Sequence, residues 1–186
     1  MKTKKQLRCE LKYLMNLLLP REVEEFSSQI IASLLTLDEI VNSSTFFVYA
    51  SVNKEVRTYN LMQELLARGK QVTVPKILGK GIMQPCQILN LNELRIEKYG
   101  FPEPIIYLPY NRTHDVCIVP GVAFTKKGER LGSGAGYYDR YLAKNEQKLV
   151  IALAYELQIV PFIPQEAHDM PVDIIVTENR VIKTHS

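Results

Sequence analysis

DVCIVPGVAF (residues 115–124) leads through TKKGE (125–129) into RLGSGAGYYDR (130–140). The first ten residues form a nearly continuous apolar run, as expected of a strand covered on both faces. The last eleven set glycines at 132, 134 and 136 and then turn helical, which predicts a helix from Gly136 to Ala143. Strand, glycine loop and helix in that order form the repeating unit of parallel sheets. Ligands of such sheets collect at the C-terminal strand ends.

Working outward, TFFVYAS (45–51) and QVTVP (71–75) read as buried strands, the second ended by its proline. KLVIALAY (148–155), DIIVTE (173–178) and RVIKT (180–184) read as further strands. MQPCQIL (83–89) is placed at an edge by Pro85, which cannot donate to a ladder. Residues 90–114 are polar and proline-rich and read mostly as loop. Thr3 and Gln6 have capping-box spacing, so a helix starts at Lys4 and buries Leu7, Leu11, Leu14 and Leu18. Pro20 ends that helix or opens the next, over EVEEFSSQIIASLL (22–35). TYNLMQELLARGK (58–70) is a helix capped by Gly69. The alternation predicts an α/β fold: one domain over residues 1–186, with a mainly parallel central sheet flanked by helices.

The bulk numbers exclude several classes. A net charge of +3 suits an anionic ligand and is too diffuse to indicate nucleic acid. Cys9, Cys86 and Cys117 are odd in number and widely spaced, which suggests neither a disulfide framework nor a zinc site. The basic N-terminus is interrupted by Glu10 and Lys12 and makes a poor signal peptide, and no run is long enough to cross a bilayer. A soluble, cytoplasmic monomer is expected.

Alternate glycines ahead of a helix expose several N–H groups to one anion, and the helix dipole adds partial positive charge. Arg130 and Arg140 add full charges suited to phosphate. The pattern nevertheless misses G-x-G-x-x-G and lacks the lysine and hydroxyl of a P-loop, so a flexible turn is an equal alternative. Asp139 reads as a first-turn carboxylate or as a metal ligand, and the second role needs another carboxylate, for which HDMPVD (168–173) offers Asp169 and Asp173. Lys4 and Arg8 share one helix face. Glu55 lies between a strand and a helix, either as a helix-start acid or as a site residue. His168 is a lone loop histidine, and His114 and His185 carry no motif.

Together these pieces resemble the 5-formyltetrahydrofolate cyclo-ligase family, also called methenyltetrahydrofolate synthetases. The resemblance spans nearly the whole chain in order. It runs through K-x-x-x-R (Lys4 to Arg8), E-V-x-T (Glu55 to Thr58), Y-G-F-P-E-P (Tyr99 to Pro104) and D-x-x-I-V-P-G-V-A-F (Asp115 to Phe124). It continues through G-E-R-L-G-x-G-x-G-Y-Y-D-R (Gly128 to Arg140), Gln158, His168-Asp169 and Val172-Asp173. It implies an ATP- and magnesium-dependent conversion of 5-formyltetrahydrofolate to 5,10-methenyltetrahydrofolate, on a fold like the sugar-phosphate isomerase and CoA-transferase group.

By position it implies that Lys4 and Arg8 hold ATP phosphates. Arg130, Leu131, Gly132, Ser133, Gly134, Ala135, Gly136, Tyr137 and Tyr138 would wrap the nucleotide, with Arg130 and Tyr137 at the reacting group. Ala50, Glu55 and Tyr99 would line the folate site together with Ser133 to Tyr137. Asp139 and Asp173 would hold magnesium. Ser133 and Ala135 stand where many relatives carry a large or basic residue. The chemistry matches this set: a formyl oxygen leaves poorly until phosphorylated, and phosphoryl transfer asks for positioning and neutralisation. Two other readings stay open: a non-catalytic nucleotide- or folate-binding relative, and an isomerase- or CoA-transferase-like enzyme. The partner that the resemblance implies is 5-formyltetrahydrofolate, with or without a polyglutamate tail.

Overall fold

Three runs, Phe46–Val48, Val116–Val119 and Ile151–Leu153, are buried at every position. In the computed structural model, which describes residues 2–184, they lie side by side in one sheet. The sheet comprises β1 (Thr45–Val48), β2 (Gln71–Gly79), β3 (Ile82–Ile88), β6 (Val116–Val119), β9 (Val150–Leu153), β10 (Ile174–Val176) and β11 (Val181–Lys183). Its order is β11-β10-β9-β6-β1-β2-β3, with β10, β9, β6, β1 and β2 parallel and the edge strands β11 and β3 antiparallel. His185 lies outside the described residues.

The two-residue period of a strand explains why both faces are apolar. Phe46, Val48, Val116, Ile118, Ile151 and Leu153 point to one face, where α2 (Pro20–Leu35) and α4 (Tyr59–Ala67) supply Ile30, Leu34, Leu61 and Leu65. Phe47, Cys117, Val119 and Ala152 point to the other, where α5 (Tyr137–Lys144) supplies Tyr141 and Leu142. α1 (Lys4–Leu17) is capped as the sequence predicts: Gln6 N–H donates to Thr3 Oγ1 at 3.2 Å and Thr3 N–H to Gln6 Oε1 at 2.8 Å. It lies over β7 (Ala123–Phe124) and β8 (Arg130–Leu131), where Leu7 and Leu11 meet Val122 and Leu131. Among the described residues, no helix is long and apolar enough to cross a membrane.

Several local expectations change. β2 runs through Pro75 to Gly79: its ladder with β1 ends at Thr73, so the missing proline donor breaks nothing on that side. β3 is an edge strand, as Pro85 indicated. Residues 115–124 are not one strand; the chain turns at Pro120–Gly121 and forms the short β7–β8 hairpin. Within 90–114 a second small hairpin forms from β4 (Leu94–Ile96) and β5 (Pro102–Pro104). Leu14 is exposed and Met15 takes its place, because 7, 11 and 15 stay on one helix face. Pro20 opens α2, and after α4 the Lys70 N–H donates back to Leu65 O at 2.9 Å across Gly69. α3 (Asp38–Val41) is a single turn.

The chain leaves β1 in one direction to β2 and later, from β6, in the other to β9 and β10. The boundary between β1 and β6 is therefore the switch point, where connections part and open a crevice beyond the strand ends.

Candidate active site

At that crevice β1 leads into Tyr49 and Ala50, and β6 leads into Pro120; all three line a cleft of about 820 Å³. The segment after β1 is tied down by Thr58, whose hydroxyl donates to Tyr49 O at 2.6 Å and accepts from Ser51 N–H at 3.1 Å. Tyr49 Oη donates to Val56 O at 2.9 Å. This bracing brings Glu55 into the cleft, where its carboxylate accepts one bond, from Val52 N–H at 2.9 Å. Burial raises the Glu55 carboxyl to about 7, against the smaller opposing pull of that bond and of Arg57 and Lys12.

β8 delivers Arg130 to the opposite wall. Its side chain is 2% exposed and its ion pair with Asp139 on α5 spans 2.5 Å. Nη1 donates to Pro120 O at 3.1 Å, so one guanidinium joins the end of β6 to the first turn of α5. Among the described residues, Arg130 Nε is buried without a partner, as is Tyr138 Oη. The Arg130 guanidinium lies 5.9 Å from the Tyr138 ring centroid.

Between them runs the loop Gly132–Gly136. At its start, Arg8 Nε donates to Gly132 O at 2.8 Å. No acceptor among the described residues takes the amide N–H of Ser133, Gly134, Ala135 or Gly136. The loop's other side borders a second cleft of about 1340 Å³, with Lys2, Lys4, Lys5 and Arg8 on its walls. Gly132, Gly136 and Asp139 line both clefts and form a shared wall. A cleft that sets Lys2, Lys4, Lys5 and Arg8 against Asp139, Glu166 and Asp169, with unpaired backbone donors beside it, keeps a small excess of positive charge and suits a polyphosphate, and a largely apolar cleft with aromatic walls and the half-buried Glu55 suits a flat heterocycle.

Most of the expected residues meet here. Ala50, Glu55, Ser133, Ala135, Tyr137 and Tyr138 line the first cleft, Lys4, Arg8, Leu131 and Gly134 the second. Lys4 is already engaged: Nζ donates to Asp169 at 2.6 Å and to Glu166 at 2.9 Å. Burial works against the Lys4 ammonium, but the two carboxylates outweigh it and hold its pKa above the usual lysine value. Arg140 is drawn away from both clefts, to Gly81 O and Ala135 O.

Two expected residues do not join the site. Tyr99 sits exposed between β4 and β5, with the Lys98 ammonium 5.7 Å from its ring centroid. Phe101 and Pro102 line the cleft in its place. Asp173 lies at the N-terminal end of β10, where its carboxylate accepts Val150 N–H at 2.7 Å. That level is three residues below Leu153, about 10 Å down the strand direction from the crevice. Asp139 and Asp173 therefore do not form a metal pair. Of the two, only Asp139 faces the clefts; Arg130 engages its Oδ1 and leaves Oδ2, and magnesium commonly takes one or two protein carboxylates with phosphate and water completing its shell, so the residues present fit it through Asp139. Glu166, His168 and Asp169 bring ligating atoms within 4.8 Å of one another, but Lys4 donates to two of them. Sequence reasoning missed Ile77 on the cleft wall because it stopped β2 at Pro75, and missed Met83 because an apolar residue on an edge strand carries no site signal.

The model of the 5-formyltetrahydrofolate cyclo-ligase family matches residues 1–178. A probable 5-formyltetrahydrofolate cyclo-ligase of Schizosaccharomyces pombe is 31% identical, covering 97% of each chain. The 5-formyltetrahydrofolate cyclo-ligase of Escherichia coli K12 is 30% identical over 88% of this chain and 94% of its own. The NMR structure of Aquifex aeolicus 5,10-methenyltetrahydrofolate synthetase superposes with a TM-score of 0.87 at 31% identity, covering 98% of this chain and 93% of that one.

Proposed function

The chain belongs to the 5-formyltetrahydrofolate cyclo-ligase family, and from that premise we propose that it converts 5-formyltetrahydrofolate and ATP to 5,10-methenyltetrahydrofolate, ADP and phosphate. The observation that carries this reading is the wall of Gly132, Gly136 and Asp139 shared by an apolar and a basic cleft. Two substrates that exchange a phosphoryl group need such adjoining seats.

The pterin ring is assigned to the apolar cleft, against Tyr49, Phe101 and Tyr137 and beside Glu55. The triphosphate is assigned to the basic cleft, against Lys4, Lys5, Arg8 and the loop N–H groups. The formyl oxygen is a poor leaving group. Transfer of the γ-phosphoryl group to it gives an imidate-like phosphate. The neighbouring folate nitrogen then attacks the formyl carbon and releases its proton to solvent, the C–O bond breaks, and phosphate departs. Such a transfer rests on orientation and charge neutralisation rather than on a protein nucleophile. Arg130 and the loop amides supply fixed positive potential at the shared wall. Magnesium, when bound, neutralises phosphate oxygens, and Asp139 is the carboxylate assigned to it.

The test is direct. Folded protein with 5-formyltetrahydrofolate, magnesium and ATP is expected to generate the near-UV absorbance of the methenyl product, and to generate none when ATP is omitted. Binding of both substrates without that absorbance would make the protein a non-catalytic relative. No specific observation favours that reading or an isomerase-like one.

A further inference from the structure

Arg140 closes the glycine stretch, and the reaction outlined above does not use it. Its guanidinium lies between two backbone carbonyls. Nε donates to Gly81 O at 3.0 Å and Nη2 donates to Ala135 O. Gly81 sits in the turn between β2 and β3, so a single side chain ties that hairpin to the loop walling both clefts. The approach is close. A Cβ at Gly81 would run into the guanidinium, and one at Gly136 would stand 2.9 Å from Nη1. Both glycines also have positive φ, +74° and +67°.

A trans peptide directs its C=O and N–H in opposite senses. Holding Ala135 O on Arg140 therefore turns the Gly136 N–H away from Arg140. At the other end Arg8 holds Gly132 O and turns the Ser133 N–H in the same manner. The Ala135–Gly136 peptide needs such a hold. Rotating it changes φ of Gly136, and glycine accepts either sign at little cost, so backbone preference alone does not select one orientation. The Gly136 N–H has no acceptor among the described residues, and Gly136 belongs to the wall shared by the two clefts.

We propose that Arg140 is a positioning residue that locks the Ala135–Gly136 peptide and so holds the Gly136 N–H as a fixed donor to the oxygen that receives the phosphoryl group. The identity of that oxygen rests on the cyclo-ligase reading. The lock itself does not.

Arg140→Ala is expected to lower kcat about tenfold while leaving KM for ATP and for 5-formyltetrahydrofolate within about threefold, because a donor used in the transition state is loosened rather than removed. Arg140→Lys is expected to match Arg140→Ala, since one ammonium cannot span both carbonyls in the way of a forked guanidinium. Gly81→Ala, which displaces the guanidinium, is expected to lower kcat to the same extent, and the double variant no further. Wild-type kcat in Arg140→Ala, recovery in Arg140→Lys, or additive losses in the double variant would overturn the proposal. The Gly136 amide resonance, followed by NMR in the ligand-free protein, separates the lock from the activity. One sharp signal in wild type that broadens or doubles in Arg140→Ala is expected. Identical signals would overturn the lock even if the wild-type protein turned over. A clear change in a wild-type protein without turnover would leave the lock standing and reject the cyclo-ligase reading.

Discussion

At the N-terminal ends of the parallel strands, the Asp115 carboxylate accepts the Ser44 and Thr45 N–H groups at 2.9 and 3.0 Å and pairs with Lys148. Asp173 accepts Val150 N–H, and His114 meets Thr73 Oγ1 at 2.9 Å. At the C-terminal ends, Arg130 Nε and Tyr138 Oη are buried without partners, Glu55 is held by one backbone bond, and four consecutive loop amides have no acceptor among the described residues. Unsatisfied buried groups cost roughly 1–3 kcal/mol each. A fold that satisfies one end and leaves the other open keeps the open end for partners that arrive with a ligand.

Removing a carboxylate from each end gives the largest contrast. Asp139→Ala leaves the buried Arg130 guanidinium without its counter-charge, so a loss of about 3 kcal/mol in denaturant melts is expected, with turnover reduced at least about hundredfold. Asp115→Asn loosens the bonds that start β1 and β6, and a loss of about 2 kcal/mol is expected with kcat within twofold of wild type. Equal losses of kcat at matched folded fractions would erase the distinction between the two ends.

The buried titratable groups make the same contrast through pH. Burial lowers the pKa of His114 from 6.5 to about 4, only weakly opposed by Gln147. Protonation then favours the unfolded chain, so its contribution is intact above pH 6.5 and falls by about 3 kcal/mol as pH drops through 4. Glu55 has the opposite sign. Its carboxyl is raised from 4.5 to about 7. Its contribution is intact below pH 4.5 and is lost, again by about 3 kcal/mol, as pH rises through 7. Stability measured against pH should lose its acid limb in His114→Gln and its neutral limb in Glu55→Gln. Only the second variant should also alter function: KM for the folate is expected to rise through pH 7 in wild type and to stay flat in Glu55→Gln.

The two ends also differed in how far they were legible. Strands covered on both faces announce themselves as apolar runs, so TFFV, VCIV and VIAL were readable wherever their partners lay. The capping box at Thr3 and Gln6 was readable because it closes within four residues. The course of β2 beyond Pro75 was not, since whether a proline breaks a ladder depends on which neighbour has already stopped pairing. Asp139 and Asp173 look alike as letters, and only the strand register shows them at opposite ends of the sheet. Arg140 looked like a phosphate ligand because its carbonyl acceptors, Gly81 and Ala135, carry no side-chain signal.

The smallest expected effect is the most discriminating in sign. Tyr138→Phe deletes a buried hydroxyl that has no partner among the described residues, while its ring stays against Phe47, with centroids 6.1 Å apart. Stability should be unchanged or rise by up to about 1 kcal/mol, because no protein hydrogen bond is lost and a desolvation cost disappears. Thr73→Val deletes a hydroxyl at the satisfied side of the sheet, one that donates to Phe46 O at 3.3 Å and meets His114. There a loss of about 1 kcal/mol is expected. If the Tyr138 hydroxyl is held for the folate, its removal should raise the folate KM about fivefold, the equivalent of one net hydrogen bond, with no loss in the melt. A Tyr138→Phe protein that is less stable and binds folate unchanged would mean that the hydroxyl serves the fold, and the open end would then be less open than its geometry indicates.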